Sequence, residues 1–178
     1  PNQRRGYSLP MTDQKLIVKQ DAGVLTLILN RPDQLNAIDN DLAFHLQESL
    51  DAAAADESVR AIRILGNGRA FCAGRDVSDA PTEKYLELVQ SVASSIVSNP
   101  KPIIAAVHGW TIGAGFEWML NADIVYASED TKFKLPEASL GVFVTGGLVA
   151  TLPAAIGLTR AKALMLLGEE FSAKRSEE

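Results

Sequence analysis

Residues 108–120 read HGWTIGAGFEWML, and the fold turns on how this stretch is understood. A β-rich run, Ile103–Val107, leads in, two glycines follow at Gly113 and Gly115, and from about Ala114 an apolar stretch looks helical. A strand, a glycine turn and a helix in that order suit either a phosphate-binding turn or an oxyanion hole, since both present backbone N–H groups at a helix start. A dinucleotide site needs a third glycine so the helix can lie close on the sheet, and no anion beside the pyrophosphate. Here the third position is Trp118, and Glu117 stands in the first helical turn. A carboxylate there repels phosphate. The amides are therefore expected to face a neutral carbonyl oxygen that becomes negative during reaction, with the helix dipole adding its positive end.

Outward from this stretch, short β-rich runs alternate with longer helical patterns, which predicts an α/β domain whose strands are mostly buried. Lys15–Gln20 and Val24–Asn30, separated by Asp21-Ala22-Gly23, read as a hairpin. Between Asp41 and Ala55, the positions Leu42, Leu46, Leu50 and Ala53 recur at helical spacing. Val59–Gly66 is the next strand; Tyr85–Ser98 is a second amphipathic helix, stopped by Asn99-Pro100-Lys101-Pro102. After the glycine turn come a strand at Asp123–Ser128 and a last helix at Leu158–Leu167, with Gly168 as its stop. No internal repeat or interdomain linker stands out. Residues 1–13 read as a loose polar lead-in, with Met11 a candidate natural start, and residues 14–178 as one domain.

Composition bounds the function. The 178 residues are 47% hydrophobic and 22% charged, enough for one soluble domain with a sizeable core. A net charge of −5 gives no basic field for nucleic acid. The single cysteine, Cys72, allows no internal disulfide, and two histidines without a second thiol make no structural zinc site, so no metal is expected. No stretch approaches the roughly 20 apolar residues that span a bilayer. With no signal-peptide pattern at the start, a cytoplasmic protein is expected.

A second turn has the character of the first. Arg69-Ala70-Phe71-Cys72-Ala73-Gly74-Arg75-Asp76 again places small residues directly after a strand. Two such turns from neighbouring strands can each aim one N–H at a single oxygen, and losing one donor of that kind costs about 2.7–4 kcal/mol of transition-state stabilisation.

Several motifs now stand in a fixed order: Asn30-Arg31-Pro32 with Leu35-Asn36-Ala37; Phe71-Cys72-Ala73-Gly74-Arg75-Asp76; Lys101-Pro102-Ile103-Ile104-Ala105-Ala106-Val107-His108-Gly109; Gly113-Ala114-Gly115-Phe116-Glu117; and Phe133-Lys134-Leu135-Pro136-Glu137 followed by Leu140-Gly141. Each is weak alone. In this order and spacing, from about Leu25 to Gly168, they resemble the crotonase or enoyl-CoA hydratase superfamily. The resemblance implies a superhelix of repeated ββα units, assembly into trimers or dimers of trimers, and an acyl-CoA thioester as substrate with no metal or redox cofactor. It places the backbone N–H groups of Ala73 and Ala114 on the thioester oxygen. It runs the CoA arm past Arg31–Ala37, including Leu35, and past Ala73–Val77, including Gly74, Arg75, Asp76 and Val77. It puts Trp110, Ile112, Gly113, Pro136, Leu140 and Gly141 along the substrate's path. Glu117 and Glu137 match the hydratase pair, one activating water and the other exchanging the proton at the α-carbon. Retention of both acids favours hydration over isomerisation, lyase cleavage or thioester hydrolysis; a non-catalytic acyl-CoA or protein-binding member is the reading from another class.

Plainer roles compete residue by residue. Glu117 also suits a first-turn acid on the helix dipole, although Ala114 supplies no capping box. Glu137 also suits a solvated loop charge after Pro136. Cys72 and His108 lie near strand ends, where a Cys–His nucleophile is conceivable; a lone cysteine between Phe71 and Ala73 is more often a small buried hydrophobe. Arg75 is either a surface charge or a partner for a CoA phosphate, Asp76 a turn or helix cap, and Trp110, Phe116 and Trp118 packing residues. Two departures from the family pattern remain. After Leu140-Gly141 the usual proline–glycine-rich loop is replaced by Val142-Phe143-Val144-Thr145-Gly146-Gly147, and bulk at Phe143 predicts a reshaped acyl pocket. The chain also stops at Glu178, where relatives continue into a C-terminal helical region.

Overall fold

The computed structural model describes residues 14–78 and 82–176, so the lead-in expected at 1–13 lies outside the described residues. Strands β1 (Leu16–Asp21) and β2 (Val24–Leu29) form the expected hairpin, with Asp21 paired to Val24 across the Ala22-Gly23 turn. Helix α1 (Asn40–Ala55) follows, and Asp39 caps it by accepting from the Leu42 N–H at 2.9 Å. Its buried face is Leu42, Ala43, Leu46, Leu50 and Ala53. Each leucine so buried contributes about 1.5–3 kcal/mol. Strand β3 (Ala61–Gly66) and strand β4 (Ala70–Cys72) lead to helix α2 (Glu83–Val97), capped by Thr82. Tyr85, Val89, Val92, Ala93 and Ile96 form its buried face, toward α1.

Strands β5 (Ile103–Val107) and β6 (Trp110–Ile112) precede helix α3 (Ala114–Leu120). Strands β7 (Ile124–Ala127) and β8 (Lys132–Lys134) precede a 3-10 turn, Glu137–Leu140. Helices α4 (Leu148–Ile156) and α5 (Leu158–Leu167), the two-residue strand β9 (Phe171–Ser172) and a final helical turn α6 (Ala173–Ser176) complete the described chain. No described helix is long and apolar enough to cross a membrane.

These strands form two sheets. The first has the order β1-β2-β3-β5-β7, parallel beyond the hairpin; the second has the order β4-β6-β8-β9, with β4, β6 and β8 parallel. Each unit lays one strand in the first sheet, one in the second, and then turns helical, so β3-β4-α2, β5-β6-α3 and β7-β8-turn advance both sheets together. This is the superhelix of ββα units implied by the resemblance. The first unit is reduced: after β2, Ile38 makes a single parallel bridge to Arg75 before α1 begins.

Two expectations are corrected. A repeat does exist, but its second-sheet strands are only three residues long, too short to show a period. Helix α4 was not foreseen, because its run includes Pro153, a residue that argues against a helix interior. Against strands expected to be mostly buried, β7 is the exception, exposed along its whole length at the edge of the first sheet.

Candidate active site

Because β4, β6 and β8 are parallel neighbours, their C-terminal ends lie side by side, and the three turns leaving them meet. These are the turns at Ala73-Gly74, at Gly113-Ala114 and at Pro136-Glu137. Gly113 is the hinge of the constellation. Its φ is +53°, a left-handed value that favours glycine. A side-chain carbon there would lie 2.7 Å from Glu137 Oε1 and 4.0 Å from the Gly74 Cα. Motifs far apart in sequence are thereby brought within contact of one another.

Glu117 is buried, and Glu137 is half-buried with its Oε2 fully enclosed. Glu117 is only 1% exposed. Its Oε1 accepts from the Thr145 N–H at 2.7 Å and its Oε2 from the Thr145 hydroxyl at 2.9 Å. Burial raises its carboxyl above the ordinary value, while the two Thr145 bonds favour the charged form and oppose that rise. The Glu137 carboxyl is pushed up to about 7, chiefly by burial, with the charge of Glu117 adding to it. Its Oε2 is buried with no hydrogen-bond partner among the described residues. The expectation that Glu137 is a solvated loop charge does not survive this environment.

The backbone donors divide differently from the expected pair. Gly113 N–H donates to Lys134 O at 3.0 Å, and Ala114 is the first residue of α3. An N–H at that helical position has no carbonyl of its own helix to reach. Since α3 has only seven residues, its effect on a nearby oxygen is that of an amide more than of a long dipole. The Ala73 amide, expected to face the same oxygen, donates instead to Leu35 O at 2.9 Å. The chain at Gly74 bonds back toward Ile38: Ile38 N–H donates to Gly74 O at 2.8 Å, and Asp76 N–H donates to Ile38 O at 2.9 Å. In such a parallel bridge the N–H of the residue between, Arg75, is directed to the opposite side, where β6 lies.

Other expected binding residues serve the scaffold. Arg31 donates to Ala37 O and to Asp76 at 2.9 Å, and approaches Asp39 at 3.4 Å, so its guanidinium staples these segments together. Ser78 and then Arg31 hold Asp76 down to about 2; the Ser78 N–H bond to its carboxylate makes it the turn cap expected. Arg75 donates weakly to Asp76 O at 3.3 Å. Ile112 and Pro136 flank the meeting point and are half-buried, whereas Leu140, Gly141 and Val77 are exposed. Trp110 begins β6, at the far end from Gly113, with Lys132 Nζ 5.0 Å above its ring. Phe116 and Trp118 are buried packing residues, as expected.

The cysteine reading fails on geometry. The Cys72 thiol is fully buried, is pushed up to about 12 by desolvation, and donates to Asn36 O at 3.2 Å, while His108 Nε2 sits on Gly68 O at 2.8 Å. A nucleophile must be a thiolate within reach of its base. Two residues central to the site escaped sequence reasoning, Thr145 and Asn36. Thr145 stood in a loop singled out only for its departure from pattern; a hydroxyl beside two glycines facing a pocket acid was the available signal.

Comparison with known proteins agrees with the geometry. The family described as Enoyl-CoA hydratase/isomerase matches residues 19–178. The chain is similar to a 1,2-epoxyphenylacetyl-CoA isomerase of Escherichia coli K12, 36% identical over 168 residues, covering 89% of this chain and 64% of that protein. It is similar to a 2,3-dehydroadipyl-CoA hydratase of the same organism, 35% identical, covering 92% and 66% respectively. Among solved structures, an enoyl-CoA hydratase from Mycobacterium avium subsp. paratuberculosis K-10 superposes with a TM-score of 0.87 at 30% identity, covering 92% of this chain and 65% of that one. The chain thus spans 64% and 66% of the length of the two curated relatives. With a family match over nearly its whole length and relatives above 30% identity, the chain belongs to the enoyl-CoA hydratase/isomerase family, the crotonase superfamily that its motifs resemble.

Proposed function

We propose that the protein adds water across the double bond of an α,β-unsaturated acyl-CoA. The observation that carries this reading is the pair of carboxyls, Glu117 buried on α3 and Glu137 against the Gly113 turn, the charge of the first adding to the raised proton affinity of the second. Near neutral pH Glu137 holds a proton in a substantial fraction of molecules, while Glu117 accepts two hydrogen bonds that favour its charged form. That is the division of labour a hydration needs. Glu117 takes a proton from water as the water oxygen bonds to the β-carbon. The π electrons move onto the thioester oxygen, and the enolate so formed takes the Glu137 proton at the α-carbon. The Ala114 amide, at the start of α3, stabilises the oxygen in passing. These steps add the water oxygen to the β-carbon and pass protons through the two acids, with no change of oxidation state that would call for a redox cofactor.

A double-bond shift on the same enolate is the competing reading, supported by the isomerase relative. Assays with crotonyl-CoA and with branched and aromatic enoyl-CoAs, following loss of the conjugated thioester absorbance, separate the two. The hydratase reading expects turnover of at least one such substrate, and Glu117→Gln and Glu137→Gln should each lower kcat about 10²–10⁴-fold. Binding of CoA thioesters with no hydration of any would hand the site to isomerisation or another enolate reaction.

A further inference from the structure

The clamp on Glu117 assigns a role to a residue outside the acid pair, and the assignment rests on the function just proposed. We propose that Thr145 is the positioning residue of the site: it orients the Glu117 carboxylate and keeps it in the charged, proton-accepting form. Both carboxylate oxygens are engaged by this one residue, Oε1 by its N–H at 2.7 Å and Oε2 by its hydroxyl at 2.9 Å. Hydrogen bonds to an ionised acceptor are the stronger kind, and they favour that ionised form.

The loop is fixed where the clamp needs it. One helical turn beyond Glu117, Asn121 donates from Nδ2 to Gly146 O at 2.9 Å, so two residues on one side of α3 grip consecutive loop residues. Val144 is buried on the other side of Thr145. Gly146 lies so close that a side-chain carbon there would stand 2.7 Å from Glu117 Oε2 and 3.4 Å from the Ala93 side chain. The clamp does not consume the base. A carboxylate offers about four lone-pair sites, and Thr145 occupies two of them.

The hydroxyl can do what the amide cannot. An N–H only donates, so it loses its partner's charge once Glu117 is protonated. A hydroxyl donates to the carboxylate and can rotate to accept from the carboxylic acid, so one contact serves Glu117 before and after it takes a proton. The titratable group coupled to Glu117 is Glu137, from the 137–140 turn; α2 presents Ala93 beside Gly146, and Asn121 follows α3, neither of them charged. Thr145 acts through Glu117 and takes no part in bond making.

The test is a titration of the Glu117 carboxyl by 13C NMR in a Glu137→Gln background, so that one acid of the pair reports. Replacing Thr145 by Val keeps the amide and removes the hydroxyl; the Glu117 carboxyl should then titrate about one unit higher. Thr145→Ser should restore the original titration. In the otherwise intact protein, Thr145→Val should lower kcat about tenfold with KM within about twofold, and move the acidic limb of kcat/KM upward in pH. A Glu117 titration unchanged in Thr145→Val overturns the proposal; should that variant not fold, the same result in Thr145→Ala does so. A titration that moves in a protein that turns over no enoyl-CoA removes the proposed reaction and leaves the role of Thr145 standing.

Discussion

With one oxygen against Gly113 and the other lacking a hydrogen-bond partner among the described residues, the Glu137 carboxyl rises from its ordinary 4.5 to about 7. Between those values the folded chain holds a proton that the unfolded chain releases. The group's contribution to stability is therefore full below pH about 4.5 and is lost as pH rises through about 7. Glu137→Gln removes that loss. It should stabilise the fold by on the order of 2 kcal/mol at pH 8 and by much less at pH 5. Urea unfolding at the two pH values measures this, and an equal difference at both would contradict it. At this scale the sequence was half legible. The acids stood out by their place in a glycine turn and after a proline. What the sequence did not show is that the Ala73 amide, expected on the thioester oxygen, donates to Leu35 O at 2.9 Å, because small residues after a strand do not reveal which N–H faces which side.

Among the elements, one side chain makes several of the hydrogen bonds that tie the segment between β2 and α1 to β4 and the residues before it. Asn36, fully buried and at a φ of +56°, donates from Nδ2 to Asn67 O, Ala70 O and Phe71 O at 2.9, 2.8 and 3.1 Å, and accepts from the Arg31 N–H at 2.8 Å. Removing it strands buried carbonyls, so Asn36→Ala should cost about 2–4 kcal/mol. Asn36→Asp, of equal size, should cost at least as much, because a carboxylate cannot donate to those carbonyls. Chemical denaturation of the two variants decides the point: an Asp variant near wild-type stability would mean that packing, and not donation, is what Asn36 supplies. The helices and first-sheet strands were legible because each is long enough to show its period, as Leu42, Leu46, Leu50 and Ala53 do along α1. The three-residue strands were read only as turns. Nothing in Ala70–Cys72 or Trp110–Ile112 distinguishes a strand until a parallel neighbour supplies the hydrogen bonds.

Over the whole molecule, the repeat stayed hidden because its units share geometry and not sequence: α2 has fifteen residues, α3 seven, and the third unit only a 3-10 turn. The first sheet ends in β1 on one side and in β7 on the other, and along β7 the residues Ile124, Val125 and Tyr126 are exposed at 47%, 38% and 67%. An apolar edge strand is a template for further pairing. Light scattering of the isolated chain should therefore rise with concentration, and Ile124→Lys should suppress the rise without lowering the unfolding midpoint; an unaltered concentration dependence would argue that the edge is inert. The meeting of three turns from three successive units carries a last consequence. No two of those turns adjoin in the chain, so a half-wound polypeptide owns only scattered fragments of the constellation. The three come together only when the third strand docks beside the second, and they part when that strand peels away.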